Sequence, residues 1–141
     1  MASFLYFSCE LDKGTGAIDF DTDTFWVMLL DAAGVAAANE IIHTRRSDVT
    51  GEITGATGYT AGGKVCTITV SQDAAARRTF YTFQAVTWTG FTGTAYGAVY
   101  YKRRGGAASA DNLVALNDFG SAITLTASPL TIADGIITVQ H

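Results

Sequence analysis

Charged side chains are scarce in this sequence, and so are proline, cysteine and histidine. Only 16% of the 141 residues are charged, against roughly 25% in an average soluble domain, while 48% are hydrophobic. This combination argues against an intrinsically disordered chain, because disordered chains typically have low hydrophobicity and high net charge. It also predicts that a partner covers part of the surface.

The chain has fewer basic residues than acidic ones, nine Lys and Arg against thirteen Asp and Glu. The net charge of −4 argues against general nucleic-acid binding, which needs an electropositive surface. No apolar run has the length of a transmembrane helix, and no basic segment precedes the first apolar residues as in a secretory signal. We therefore expect neither nucleic acid nor a membrane as partner. Without a secretion signal, Cys9 and Cys66 are predicted to be reduced, small apolar side chains.

The residues that are abundant favour β-structure. Fifteen glycines accompany many Thr, Val, Ile and Tyr residues, a composition typical of strands joined by glycine turns. Residues 24–30 (TFWVMLL) are predicted to be a strand buried on both faces. About eight to ten short strands predict one all-β domain over residues 1–141: an antiparallel β-sandwich, jelly roll or barrel. Residues 1–11 fit a first strand, a short helix or an N-terminal arm laid on a neighbouring subunit.

The aromatic stretch 80–101 has the pattern of a β-hairpin. Val86 and Trp88 share one face and are predicted to anchor the core, and residues 90–93 (GFTG) read as the hairpin loop. Ala95 and Gly97 carry almost no side-chain bulk, which predicts close packing against the backbone.

Four further local predictions rest on turn and cap signals. Residues 113–116 and 122–126 are predicted to be separate strands, and Asp134-Gly135 favours a type I′ turn that closes a C-terminal hairpin. Residues 34–39 read as a small-residue loop. Ser47 and Asp48 resemble the N-cap of a helical turn running to about residue 52.

Motifs that suggest chemistry fail at their defining positions. Asp19, Asp21 and Asp23 alternate as in a calcium loop, but the glycine and the bidentate glutamate are missing. Residues 58–64 nearly spell a phosphate loop, yet valine follows where Ser or Thr would bind magnesium, and a strand pattern comes next. His43 has no nucleophile beside it in the sequence pattern. We therefore predict no enzymatic activity, no cofactor and no metal.

Basic clusters and the aromatic N-terminal residues are the candidate partner-binding sites. The basic residues lie in predicted turns and strand ends, where they protect strand edges or dock onto carboxylates of a partner. The candidates are Arg45, Arg46, Arg77, Arg78, Lys102, Arg103, Arg104, Phe4, Tyr6 and Phe7.

A string of short motifs resembles a family of small structural proteins found in tailed bacteriophages. These motifs span most of the chain: residues 21–30 (DTDTFWVMLL), 58–63 (GYTAGG), 88–89 (WT), 95–100 (AYGAVY), 113–120 (LVALNDFG) and 134–139 (DGIITV).

The resemblance implies a virion component with a compact β fold and no enzymatic role. Within that group a capsid decoration or cement protein is expected, one that sits on the outer shell as a homotrimer and bridges capsomers. Its partners would be the major capsid protein or other virion proteins, with assembly in the host cytoplasm.

Other functions remain open from the sequence alone. They are a minor head, neck or tail protein, and a carbohydrate-binding β-sandwich that uses Trp88, Tyr96 and Tyr100 to stack on sugars.

Overall fold

The computed structural model describes residues 3–140, and within them β-strands predominate. Eight strands form two antiparallel sheets, accompanied by two short α-helices and two 3₁₀ turns. The predicted all-β, sandwich-like fold class is confirmed. The elements are β1 (Phe4–Leu5), α1 (Phe7–Gly14), β2 (Phe25–Leu30), α2 (Ala32–Ala37), a 3₁₀ turn (Arg46–Asp48), β3 (Lys64–Val65), β4 (Ile68–Asp73), β5 (Arg78–Phe83), β6 (Val86–Lys102), a 3₁₀ turn (Ala108–Ala110), β7 (Asn112–Ile132) and β8 (Gly135–Gln140).

The chain passes between the two sheets at three short connections. The larger sheet has the order β1-β7-β6-β2-β3, and the smaller has the order β4-β5-β8. Residues 66–67, 84–85 and 133–134 make the crossings. The crossings are tied together, because the Gln84 N–H donates to the Thr67 carbonyl at 2.9 Å and the Ala85 N–H donates to the Asp134 carboxylate at 2.6 Å.

Two cores lie on opposite faces of the five-stranded sheet. The first fills the space between the sheets and contains Trp88 of β6 and Phe83 of β5. The second lies on the other face, where Val35 of α2 packs with Tyr101 of β6. Strand β2 contributes to both cores, which confirms the prediction that it is buried on both faces. Val86 and Trp88 are buried as predicted.

The predicted hairpin over residues 80–101 is wrong. Strand β5 pairs with β4 and β8, whereas β6 belongs to the other sheet and continues for 17 residues through the predicted loop. Gly90 and Gly93 have positive φ values of 60° and 156° and lie at register shifts of the β6–β7 pairing. They are bulge residues within a strand and not turn residues. Glycine is common in both bulges and turns because both can require a positive φ, so its presence in the sequence does not distinguish the two.

The predicted break in the next stretch is also wrong. Residues 113–116 and 122–126 belong to one 21-residue strand, β7, which passes Gly120 (φ 77°) without ending. The C-terminal hairpin is absent as well. Strand β8 pairs with β5 and not with β7, because the Asp134 carboxylate is bonded to Ala85 and the chain crosses between the sheets there.

Two predictions about helical structure need correction. Of the predicted loop 34–39, residues 34–37 are helical, because α2 covers Ala32–Ala37. The Asp31 carboxylate caps this helix by accepting from the Gly34 N–H at 2.7 Å. The turn expected after Ser47 lies earlier, at Arg46–Asp48. Asp48 reaches backwards and accepts from the N–H groups of Thr44 and Arg45, both at 2.9 Å.

The N-terminal stretch packs on its own chain. Of the three alternatives, strand and helix both occur: β1 pairs with β7, and α1 follows directly. Met1 and Ala2 of the predicted arm lie outside the described residues. Close packing at Gly97 is confirmed, because a methyl group there would lie 2.6 Å from the Val35 side chain of α2.

Candidate functional site: basic loops and an apolar patch

Five of the predicted basic residues come together at one end of the five-stranded sheet. Lys102 is the last residue of β6, and Arg103 and Arg104 follow it directly. Arg45 lies at the same end because it forms a bridge with Asn112, the first residue of β7, and Arg46 is its neighbour in sequence. We call this set the basic loop cluster: Arg45, Arg46, Lys102, Arg103 and Arg104.

Asp111 holds the centre of the basic loop cluster. Its fully buried carboxylate accepts from the Arg46 Nε at 2.8 Å through one oxygen and from the Arg104 N–H at 2.9 Å through the other. The Arg46 guanidinium also lies 4.9 Å from the centre of the Tyr101 ring. Arg46 therefore contacts Asp111 through its Nε and Tyr101 through the flat face of its guanidinium.

Two further acids contact Arg45 and Lys102. Asp12, on α1 and 7% exposed, accepts from the Asn112 amide at 2.8 Å and lies 3.4 Å from Arg45. The Lys102 ammonium lies 2.7 Å from an Asp23 carboxylate oxygen. Charge-assisted contacts of this kind tie α1 and the loops to the ends of β6 and β7.

Within residues 3–140, the side chains of Arg103 and Arg104 contact no carboxylate and are held in other ways. The Arg103 guanidinium lies 4.0 Å from the centre of the Trp26 ring, a cation–π geometry. The Arg104 Nε donates to the Ala110 carbonyl at 3.1 Å and to the Asn112 side chain at 3.0 Å. The cluster therefore stabilises the chain's own loops, which leaves little of its charge for a partner.

Arg77 and Arg78 lie elsewhere, at the turn between β4 and β5 of the smaller sheet. Both are exposed, and Arg77 has a φ of 55°. The Arg78 Nε donates to the Gln140 side chain of β8 at 2.9 Å. The seven predicted basic residues therefore form two separate surfaces and not one.

Of the three predicted N-terminal docking residues, Tyr6 is wrong. Its side chain is 0% exposed and belongs to the second core, so it cannot reach a partner in this fold. The neighbouring Phe4 is partly buried and packs edge-on against it at 5.1 Å. Phe7 is 71% exposed, as a docking residue should be.

Phe7 belongs to an exposed apolar patch that also contains Leu11, Ile41 and Ile42. Their exposures are 71%, 68%, 71% and 72%, the highest among the large hydrophobic side chains of the described residues. Side chains four residues apart on a helix lie on one face, which places Phe7 and Leu11 together on α1. The apolar patch was missed in the sequence because residues 40–46 carried no clear pattern.

A short turn holds the two isoleucines beside α1. The Phe7 N–H donates to the Glu40 carbonyl at 2.9 Å, which brings residue 40 to the start of the helix. The Asn39 side chain accepts from the N–H groups of Ile41 and Ile42, both at 3.0 Å. With side-chain areas of the order of 150–200 Å², the apolar patch exposes roughly 400–500 Å², comparable to the largest patch on a typical monomer.

The aromatic residues proposed to stack on sugars face the interior. Trp88 and Tyr100 are 3% and 5% exposed and belong to the inter-sheet core, and Tyr96 is half-buried against the second core. The carbohydrate-binding hypothesis therefore loses two of its three binding residues.

The remaining chemical motifs are occupied by structural contacts. Lys64, which ends the phosphate-loop-like segment, donates from its ammonium to the Thr87 carbonyl at 2.7 Å. The His43 Nδ1 accepts from the Asn39 N–H at 3.3 Å. Across residues 3–140, no three His, Cys, Asp or Glu side chains are grouped closely enough to hold a metal ion. Neither described helix has the length and apolar character needed to cross a membrane.

Both cysteines are buried and unpaired, as predicted. Burial is the main cause that raises the pKa of Cys9 to about 12 and that of Cys66 to about 11. A thiol with so high a pKa is a poor nucleophile at neutral pH. The two cysteines therefore act as core side chains.

The fold and its surfaces define an all-β, sandwich-like protein whose largest exposed features are an apolar patch and loops braced by ion pairs. Comparisons with protein-family models, with curated proteins and with solved structures found no match for this chain.

Proposed function

We propose that this chain is a non-enzymatic structural protein of a tailed-phage virion, a capsid decoration or cement protein that docks on the outer shell. The single observation that carries the proposal is the apolar patch of Phe7, Leu11, Ile41 and Ile42. The motif resemblance supplies the class of partner, and the apolar patch supplies the surface.

The apolar patch is favoured over the basic loop cluster as the docking surface. The cluster's charges already contact Asp12, Asp23 and Asp111, and recruiting them to a partner would break those contacts. Burying roughly 400–500 Å² of apolar surface contributes about 10 kcal/mol at about 25 cal/mol per Å², before the cost of association is subtracted.

One apolar patch therefore gives weak binding, and several linked copies give strong binding. In a homotrimer on the shell, the second and third contacts become intramolecular and raise the overall affinity through effective concentration. A protein that binds the assembled lattice better than its free subunits stabilises the lattice by mass action. This is the physical basis of a cementing role that bridges capsomers.

A minor head, neck or tail protein is the second candidate function. It would use the same apolar patch on a different virion partner, so the chemistry of the contact does not separate the two. The number and position of copies on the particle do.

The test compares particles with and without the protein under heat or osmotic shock. We expect the wild-type chain to raise particle survival, and Phe7→Asp or Ile42→Asp to abolish the effect, because a carboxylate cannot enter an apolar contact without a large desolvation cost. Val65→Asp is the matched control, since Val65 is 49% exposed on β3 and outside the apolar patch. Equal survival with wild-type chain and with no added protein would contradict the cementing role.

A further inference from the structure

A cleft of about 530 Å³ opens between the two sheets on the side away from β3 and β4. It is bordered by β1 and β7 of the larger sheet and by β8 of the smaller one. Both β1 and β8 are the last strands of their sheets among the described residues. The cleft is thus the place where neither sheet continues.

Strand edges as well as side chains line the cleft. Three runs of consecutive residues border it: 3–5, 115–117 and 133–137, of which 135–137 belong to β8. Over residues 115–116, β7 is paired on both sides, with β1 and β6, whereas β8 has β5 as its one neighbouring strand in the described chain. Successive side chains of a strand point to opposite faces, so Ile136 and Ile137 both border the cleft because it reaches around the side of β8 that faces away from β5. The backbone of β8 over residues 135–137, on the side away from β5, is therefore part of the lining.

Most lining residues are apolar, Ser3 and Asn117 are neutral and polar, and one residue is charged. Phe83 and Tyr100 pack edge-to-face at 4.9 Å in one part of the wall, and Ile136, 63% exposed, stands at the rim. Among the lining residues only Asp134, at the start of β8, carries a charge. A ligand that complements the cleft is apolar along its length and cationic at one end.

The size of the cleft matches a short piece of one strand. Neighbouring strands lie about 4.8 Å apart, packed sheets lie about 10 Å apart, and a strand rises about 3.3 Å per residue. The product of these three lengths gives a volume of about 160 Å³ for each strand residue. The cleft is therefore large enough for at least about three such residues, the number of β8 residues along it.

We propose that this cleft accepts an extended segment of a partner chain, which adds as a strand to the free edge of β8. The segment carries apolar side chains at alternate positions and a Lys or Arg beside Asp134. Main-chain hydrogen bonds to β8 supply affinity, and the apolar wall selects the alternating side chains. Over residues 135–137 the edge of β8 is a pairing site, because no strand of the described chain lies beside it on the side away from β5.

A single extended segment fits the cleft better than two other occupants. A small apolar molecule would cover Phe83 and Tyr100 but leave the β8 backbone edge unpaired. The β8 strand of a second copy carries no Lys or Arg that could lie beside Asp134. Both alternatives give distinct results in the test below.

The probe is a fluorescently labelled peptide, acetyl-Lys-Val-Thr-Val-Thr-Val-amide, titrated with the full chain and followed by anisotropy. We expect saturable binding, and an affinity at least about tenfold weaker for Ile136→Lys and for Ala133→Trp, which place a charge at the rim and a bulky ring in the cleft. Val65→Lys, a matched change on the opposite edge strand β3, should bind within about twofold of wild type. A peptide N-methylated at every residue should not bind, because neither of its edges then has an N–H group to donate to β8.

Amide hydrogen exchange identifies the occupant. Strand addition predicts slower exchange in β8 when the peptide is bound. No binding at about 1 mM peptide, or equal binding by wild type and both cleft variants, would overturn the proposal. Binding without slower exchange in β8 would overturn it in favour of a small-ligand site. A dimer of the free chain that Ile136→Lys dissolves would overturn it in favour of a second copy. The assay contains no virion component and does not involve the apolar patch, so it is independent of the proposed function.

Discussion

Replacing Asp111 with asparagine tests whether the basic loop cluster is structural. The Asp111 side chain has 0% exposure and receives two hydrogen bonds, from the Arg46 guanidinium and the Arg104 backbone. Asparagine keeps the shape but has one oxygen and one NH₂ group. One of the two donors would then face another donor, and Arg46 would lose its counter-charge.

The expected cost follows from the burial of each partner. Removing one member of a fully buried ion pair costs about 3–5 kcal/mol, and an unsatisfied buried hydrogen-bonding group costs about 1–3 kcal/mol. The Arg46 side chain retains 20% exposure, so water can solvate part of its charge. We therefore expect Asp111→Asn to lower the free energy of unfolding by about 2–3 kcal/mol.

The assay is equilibrium unfolding in urea, with the slope of the transition checked for constancy between variants. Glu10→Gln is the control, because Glu10 pairs with Lys13 at 3.0 Å but is 59% exposed, and such a pair contributes less than about 1 kcal/mol. A loss below about 0.5 kcal/mol for Asp111→Asn would refute the reasoning. Arg46 would then be free to serve a partner, as the sequence first suggested.

Two further predictions concern the thiols and one glycine. Cys9 and Cys66 should react with a thiol reagent at pH 8 only after unfolding, and reaction of the native thiols at the unfolded rate would contradict this. Their folded pKa values lie near 12 and 11, above the unfolded value of 9.0. The free energy of unfolding should therefore fall as pH rises above about 9, because the unfolded chain loses these protons first. Gly63→Ala should lower the melting temperature by several degrees, because φ is +84° and the added methyl group would overlap the Val27 carbonyl. Gly14→Ala is the control and should leave the melting temperature nearly unchanged, because Gly14 has open space around it. Equal melting temperatures for the two variants would contradict the packing at Gly63.

Alternation and composition predicted the fold class because they reflect burial directly. The continuous apolar run 24–30 became the doubly buried β2, and the alternating Val86 and Trp88 entered the inter-sheet core. Such patterns depend only on which side of a strand meets the core.

Strand lengths and partners could not be predicted in the same way. Gly90, Gly93 and Gly120 gave turn signals, yet they are bulge residues of two long strands. The pairing of β8 with β5 joins residues about sixty positions apart, and no local signal encodes it. A dipeptide such as Asp134-Gly135 favours a turn but does not fix which strand follows it.

The candidate site was predictable by residue type and not by contact. The basic residues were identified, but their partners Asp12 and Asp23 lie 33 and 79 positions away from Arg45 and Lys102, respectively. Phe7 was identified as a docking residue, whereas Ile41 and Ile42 became its neighbours only through the backbone contact at Glu40.

The most direct test of the proposed decoration role is the position of the chain on assembled particles. A small tag inserted between Gly105 and Gly106, where added side chains meet open space, would be imaged by electron microscopy on particles purified from the lysate that contains this chain. The proposal predicts label distributed over the whole shell in wild type and none with Phe7→Asp. Label confined to one vertex or to the tail, or particles without label, would contradict it.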